Sequence, residues 1–350
     1  MNVYVVTHCV WSSYGSMLQA MGLKKAISSL GFETVLLYDR KPKEYRLRVP
    51  RSKKDLVYFP VKLINHRKIL SMREKGLNFI SGNLDVLYFS DYDDMCRNYP
   101  HGGAYIAGSD QIWLPGMDNP SFFLDFVKGK DEKKASYAAS LGVSEIPPDK
   151  EEKFKRYLAG FDSISVREHQ NKAQLEKLTG KQVSVNIDPT FLVDAGEWRK
   201  LEKEYPVKGR YILVYTIYWN SSINEKLRML KQQTGLPVYA VKPSPSRLYS
   251  TKTIYGAGPE EFLWLIDHAE YVVTSSFHGA AFASIFNKKV SVVINPKAPS
   301  RLTELADRLE LPVIDIDKLD SAPPIDYNTV NKNIEQARAE GMDYLKKVLL

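Results

Sequence analysis

The chain has 350 residues, 44% apolar and 26% charged, a formal charge of +8 and two cysteines. At roughly 100–200 residues per domain this length fits two domains, each able to bury its own core, and the composition excludes a disordered or fibrous chain. Two distant cysteines, Cys9 and Cys96, exclude a secreted disulfide framework, and Cys9, at the end of an apolar run, reads as a buried free thiol.

Strand and helix alternate along the chain. Val3–Thr7 is β-rich, and Met1–Val10 lacks the basic n-region and small-residue cleavage site of a signal peptide. Tyr14–Ser29 reads as a helix on Met17, Leu18, Met21 and Ile27, closed by Gly31, and Thr34–Tyr38 as the next strand. Between Arg40 and Arg73 stand twelve Lys or Arg against two acids, Glu44 and Asp55, so this window carries more than the net charge of the whole chain. Such a segment is either a solvated loop or a contact for an anionic partner. Lys62–Lys75 reads as helical. Ala104–Ala107, Ala135–Ala139, Ser163–Val166 and Val183–Asn186 read as strands, with helices over Glu151–Leu158 and Glu168–Leu178, the latter ending at Gly180.

A second series follows the turn at Asp188–Pro189–Thr190. Tyr211–Ile217, Pro237–Val241, Tyr271–Thr274 and Val290–Ile294 are strands. Asn224–Gln233, Pro259–His268, Gly279–Phe286 and Arg301–Leu309 are helices, and Asn333–Leu350 is a terminal amphipathic helix. Strands separated by helices imply parallel sheets with right-handed crossovers, and two series imply two doubly wound α/β domains that meet near 188–194. Ligands of such sheets lie at the carboxyl ends of the strands, here in a cleft between the domains. The longest apolar stretch, Tyr211–Trp219, falls short of the ~18–20 residues that span a bilayer, so the cytoplasm is the expected location.

Chemistry concentrates just after the strands. In Gly108–Ser109–Asp110–Gln111–Ile112–Trp113, Ser109 and Asp110 read as helix N-caps, or Asp110 as a catalytic carboxylate. In Ser165–Val166–Arg167–Glu168, Arg167 stands between a strand and a helix, where its guanidinium and free helix amides suit a phosphate or carboxylate; the alternative is an Arg167–Glu168 surface pair. Thr274–Ser275–Ser276–Phe277–His278–Gly279 gathers hydroxyls, helix-end amides and an imidazole in one turn; His278 is either a reactive group or a helix cap. His8 and His101 also lie near strand ends, and each alone is a weak signal. Ser12–Ser13–Tyr14–Gly15–Ser16 opens a helix but is not GxGxxG, and there is no P-loop, so a nucleotide fingerprint is rejected. No HExxH, CxxC or acidic cluster points to a metal, and no RNP or helix-turn-helix pattern points to nucleic acid.

These stretches, with Tyr14–Gly15, Ser136–Tyr137–Ala138–Ala139–Ser140–Leu141–Gly142 and Asp188–Pro189–Thr190–Phe191–Leu192, resemble the polysaccharide pyruvyl transferase family in order and spacing, from about residue 11 to residue 310. The resemblance implies a GT-B-like fold: a Rossmann-like domain over 1–190, a second over 191–328, and a helix over 329–350 returning to the first. It implies transfer of the pyruvyl group of phosphoenolpyruvate to two hydroxyls of a sugar in an exopolysaccharide or capsule precursor, giving a ketal and phosphate, with no metal or organic cofactor. Arg167 then resembles the donor-phosphate arginine, with Ser275, Ser276 and Gly279 completing that site. His278 resembles the active-site histidine, Asp110 the cleft acid, and Tyr14, Gly15, Gln111 and Trp113 the acceptor side. Many members carry Arg two residues before the histidine, where this chain has Ser276; Lys242, Arg247 and Lys252 are the candidates to replace that charge. Expected partners are phosphoenolpyruvate, a sugar or lipid-linked oligosaccharide, and an anionic membrane surface met through residues 40–73. The rival readings are a sugar-nucleotide glycosyltransferase and a non-catalytic relative.

Overall fold

Short apolar runs punctuated by helices fold here into two parallel sheets, in a computed structural model that describes residues 2–42, 56, 60, 63, 65–129, 131–217, 221–241, 252–294, 300–311 and 324–350. The first domain runs β1 (Asn2–Val6), α1 (Tyr14–Ser29), β2 (Glu33–Tyr38), α2 (His66–Asn83), β3 (Asp85–Tyr88), α3 (Tyr92–Asn98), β4 (Ala104–Ala107), β5 (Lys133–Ser136), α4 (Pro148–Leu158), β6 (Ile164–Val166), α5 (Lys172–Thr179) and β7 (Val183–Val185). Its strands lie in the order β3-β2-β1-β4-β5, all parallel, and single bridges from Ala135 to Ser163 and from Ala139 to Val166 append the β6–β7 pair. The second domain runs α6 (Ala195–Arg199), β8 (Ile212–Tyr215), α7 (Ser221–Thr234), β9 (Val238–Val241), β10 (Lys252–Ile254), α8 (Pro259–Asp267), β11 (Tyr271–Thr274), α9 (Phe277–Ile285), β12 (Lys289–Val292) and α10 (Ser300–Leu309). Its order is β10-β9-β8-β11-β12, again parallel. A terminal helix, α11 (Tyr327–Leu349), follows.

The central strands are apolar on both faces because helices cover both. β4 and β8 are buried at every position. The edge strand β3 alternates exposed and half-buried residues, and the extra strand β10 has three residues. Neither was read from the sequence, nor were the short helices α3 and α6. α2 runs on to Asn83, past the expected end at Lys75. Gly31, at φ +87, ends the first turn after α1, where a side chain would meet the left-handed penalty. Most of the basic window, including 43–55, lies outside the described residues. Among the described residues no helix is long and apolar enough to cross a membrane.

The sheet orders matter for the site. In each, the chain reverses direction beside its first strand, between β1 and β4 and between β8 and β11. Doubly wound sheets bind ligands at that crevice. The helices that face the gap hold the domains together. Tyr14, on α1, is buried, stacks on Phe262 of α8 at 4.5 Å, and donates its hydroxyl to Ala257 O at 2.9 Å. Lys75 of α2 reaches both Glu261 oxygens at 2.7 Å and Gly256 O at 3.1 Å. On the far side α11 crosses back: Arg338 donates to Phe191 O, Arg308 of α10 pairs with Glu340, and Tyr344 donates to Ser136 O of β5 at 2.8 Å. Gly341 makes this approach possible, since a Cβ there would lie 2.4 Å from the Tyr137 hydroxyl.

Tyr14→Phe removes one donor to a buried interdomain carbonyl and keeps the ring. It is expected to cost about 1–2 kcal/mol, read as a lower urea midpoint, with secondary structure unchanged.

Candidate active site

The two crevices face each other. On the first sheet, Thr7 donates to Ser109 O at 2.7 Å, and Gln19 from α1 reaches Thr7 Oγ1 at 3.0 Å and His8 O at 2.8 Å, which fixes the ends of β1 and β4. On the second, Thr274 donates to Tyr215 O at 2.6 Å and Ile217 N donates to Ser275 Oγ at 3.0 Å, which fixes β8 and β11. A cavity of about 250 Å³ lies between them, lined by Gly15, Asp110, Gln111, Ser276, His278 and Arg301 among others.

Behind this cavity sits a buried charge cluster. Asp188 follows β7 and is fully buried. Its Oδ2 lies 2.6 Å from Arg167 Nη2 and 3.6 Å from His278 Nε2, so one carboxylate oxygen joins a guanidinium of the first domain to an imidazole of the second. Ser109 Oγ accepts from Arg167 Nη2 at 2.6 Å, and Thr190 donates to Asp188 Oδ1 from both its amide (3.0 Å) and its hydroxyl (2.8 Å). Burial alone would raise the Asp188 carboxyl; Arg167, then His278 and Thr190 outweigh it and hold the group far below the usual carboxylate range. Burial opposes ionisation of Asp110 as well, but His278, Arg167, His8 and Arg301 together keep it below its ordinary value. Asp110 has φ +72, a left-handed conformation that Asp tolerates better than most residues, and its carboxylate accepts from Gln111 N at 2.9 Å. No helix follows it, so Ser109 and Asp110 are not caps, contrary to the sequence expectation; Ser140 N bonds Asp110 O and extends the β4–β5 pairing instead.

Arg167 also departs from expectation. The segment after it is a short 3₁₀ turn, His169–Asn171, and α5 begins only at Lys172, so no helix end points at Arg167. Glu168 is not its surface partner: it is buried, lies 2.5 Å from Ser140 Oγ and accepts from Leu141 N at 3.2 Å. Arg167 is stacked 4.5 Å from Phe277, and its Nε and Nη1 are buried without a partner among the described residues. It lines a neighbouring cavity of about 620 Å³, which His278 does not line. Phe277 and Arg301 line both.

His278 stands at the second residue of α9, whose N-cap is Ser276, so the imidazole is not the cap. Gly15 lets α1 approach it: a Cβ there would lie 2.1 Å from His278 Nδ1. Gly142, at φ +67, makes equivalent room for Gln111, with a Cβ 2.1 Å from its Nε2. Ser275 holds Ile217 in place, and Gly279 packs against Thr274 Oγ1, 2.2 Å from where its Cβ would be; the structure gives both supporting places behind the cavity wall. Trp113 is removed from the acceptor side by burial. It stacks on Phe123 and donates to Phe122 O in the first core. Tyr14 is the interdomain contact already described.

Three groups were given no role by the sequence reading. Asp188 stood in a recognised stretch without a role. His8 lines the cavity together with Asp110. Arg301, at the start of α10, has no hydrogen-bond or ion-pair partner among the described residues; burial and the adjacent Arg167 depress its pKa. It lines the same cavity as Ser276, beside which Lys242, Arg247 and Lys252 were the expected sources of charge. Lys242 and Arg247 lie outside the described residues, and Lys252 is exposed on the edge strand over Tyr239. Away from the cleft, Glu202, Asp267 and His268 approach within 4.8 Å, but Arg199 takes both oxygens of Asp267, which makes this an ion-pair cluster.

Two Rossmann-like domains with facing crevices and a charged gap between them define a GT-B-type α/β protein. Solved structures bear out the fold: UDP-GlcNAc 2-epimerase from Methanocaldococcus jannaschii superposes with a TM-score of 0.55 at 10% identity, covering 96% of this chain and 92% of that one. A trehalose-6-phosphate synthase superposes at 0.52 and 10% identity, covering 99% and 97%. The family model described as polysaccharide pyruvyl transferase matches residues 14–296. The chain belongs to that family, whose name is that of a transferase. No curated protein sequence matches it significantly.

Removing the Asp188 charge leaves the buried Arg167 uncompensated, so Asp188→Asn is expected to cost about 3–5 kcal/mol. Because the folded pKa is depressed, the wild-type contribution is complete above the unfolded carboxyl pKa, about 3.9, and declines as pH falls below it. Urea melts at several pH values should show that decline in the wild type and a flatter profile in the variant.

Proposed function

We propose that the protein transfers the pyruvyl group of phosphoenolpyruvate to two hydroxyls of a sugar, forming a ketal and releasing phosphate. The supporting observation is a pair of neighbouring guanidiniums, buried Arg167 with two unpartnered nitrogens and half-buried Arg301 with no hydrogen-bond or ion-pair partner among the described residues, which line one cavity together, while Arg301 also lines the adjoining one with His278 and Asp110. Unpaired buried cations are costly, and a multiply charged anion offsets that cost. Phosphoenolpyruvate carries a phosphate and a carboxylate close together, and the Arg167–Arg301 pair suits them.

In this reading a proton is delivered to the methylene carbon of the donor, which makes the adjacent carbon oxocarbenium-like. The first sugar hydroxyl adds there, phosphate leaves with its oxygen, and the second hydroxyl closes the ketal. Each hydroxyl gives up one proton. His278, oriented by Asp188, serves as acid/base or stabilises the leaving phosphate. Asp110, held ionised by its cationic surroundings, accepts a hydroxyl proton. Arg301 supplies the charge that Ser276 does not. A lipid-linked acceptor would bring the basic window 40–73 to an anionic membrane, where each Lys or Arg contributes about 1 kcal/mol.

Phosphoenolpyruvate, and not a nucleoside diphosphate, is expected to raise the melting temperature, and phosphate release should depend on a saccharide. His278→Ala should slow that release by about 10²–10⁴-fold with the fold intact. Arg301→Ala should abolish the thermal shift at the same donor concentration. Unchanged phosphate release in His278→Ala, or stabilisation by nucleoside diphosphate alone, would refute this assignment. The membrane element is checked separately by vesicle sedimentation. Binding to anionic vesicles should fall with salt, and equal binding to neutral vesicles would remove it.

A further inference from the structure

A third cavity, of about 530 Å³, opens at the carboxyl ends of β1, β2 and β3, entirely within the first domain. His8 and Met117 line both it and the cavity that holds His278 and Asp110, so the two are contiguous. Its volume lies within the range of small-ligand pockets and exceeds what a three-carbon donor needs. The lining is of two kinds. Trp11, Tyr38 and Tyr88 supply ring surfaces, with Tyr38 and Tyr88 5.8 Å apart and tilted. Asp39 and Asn119 supply fixed hydrogen-bonding groups. Asp39 is buried, with its oxygens 3.0 and 3.2 Å from Arg40 and 3.3 Å from Ser121 Oγ, which leaves carboxylate lone pairs over. Asn119 Oδ1 accepts from Ser121, while its Nδ2 donors have no partner among the described residues.

Ring faces beside anchored acceptors and donors match a pyranose, which presents an apolar C–H face and a rim of hydroxyls. A lipid tail would leave Asp39 and the Asn119 amide unpaired on contact, at a cost of about 1–3 kcal/mol for each buried group. We infer that this pocket is the saccharide subsite, holding one or two sugar units with the reacting pair of hydroxyls directed past His8 towards Asp110. The name of acceptor rests on the pyruvyl-transfer reading; the binding of saccharide does not. The inference relocates the acceptor from Tyr14 and Trp113 to residues that the sequence left unassigned.

Saturation-transfer NMR with a panel of neutral and N-acetylated methyl hexosides and hexosyl disaccharides tests it without a donor. The full-length wild type should transfer saturation to at least one of them and show quenched or shifted Trp11 emission. Asn119→Ala and Tyr88→Ala should each weaken that saccharide's binding by roughly 10-fold or more, while the melting shift given by phosphoenolpyruvate stays at the wild-type value. In turnover, both should raise the acceptor KM with little change in kcat. Two variants guard against one that folds poorly. Equal saturation transfer to wild type and both variants, or none from any saccharide to the wild type, overturns the subsite. Saccharide binding lost in the variants without any response to phosphoenolpyruvate in the wild type would support the subsite and strike down the donor reading alone.

Discussion

The Asp188 carboxylate is the constraint on which the arrangement of this cleft depends. It is fully buried, and a buried carboxylate without cations would be protonated. Arg167 and His278 keep it charged, and they come from opposite sides of the gap. The same oxygen therefore stands between the two domains, 2.6 Å from the Arg167 guanidinium and 3.6 Å from the His278 imidazole. Replacing the trio with apolar residues of similar volume would be energetically tolerable in many proteins. Here it would erase the geometry that places an imidazole, a carboxylate and a guanidinium around one small space, with a second guanidinium in the cavity beside it.

The two sheets solve the same problem twice. Each has a threonine hydroxyl tied to a carbonyl across its reversal point, Thr7 to Ser109 and Thr274 to Tyr215. These bonds satisfy backbone groups that the diverging strands leave free. They also fix the strand ends that border each crevice. Close approach at Gly15 and Gly142 then lets α1 and the loop after β5 reach His278 and Gln111 without added volume, and Gly341 seats the terminal helix on the far side. The cavity that holds His278 and Asp110 draws on both domains, whereas the pocket at the ends of β1, β2 and β3 belongs to the first alone.

Much of this was legible in the sequence, and for identifiable reasons. The central strands carry continuous apolar runs, and glycine or proline closes most helices, so alternation and domain number could be read directly. The segments around Asp110, Arg167 and His278 were recognisable because chemistry accumulates just after strands. What failed was local. Asp110 looked like a cap because helix caps and left-handed turn residues share the same side chains, and only φ separates them. Trp113 looked exposed to ligand because a fully buried indole next to a motif carries no sequence mark of burial. Arg301 was invisible because its partner across the gap, Arg167, is 134 positions earlier, and no pattern in α10 distinguishes a guanidinium facing the cleft from one facing water. Asp39, Asn119 and Tyr88 come from three separate loops and strand ends, a grouping that only strand order creates.

The terminal helix has a further implication for biosynthesis. Tyr344 closes a backbone carbonyl of β5, Ser136, across 208 residues of chain, and Gly341 seats the helix against Tyr137. Emerging from the ribosome, the first Rossmann unit can build its sheet early, yet it keeps an uncapped flank until the second unit has been made and the helix docks. Nascent chains paused before residue 327 would thus present a bare apolar seam to chaperones, and fusion partners attached near that helix would compete with the docking step.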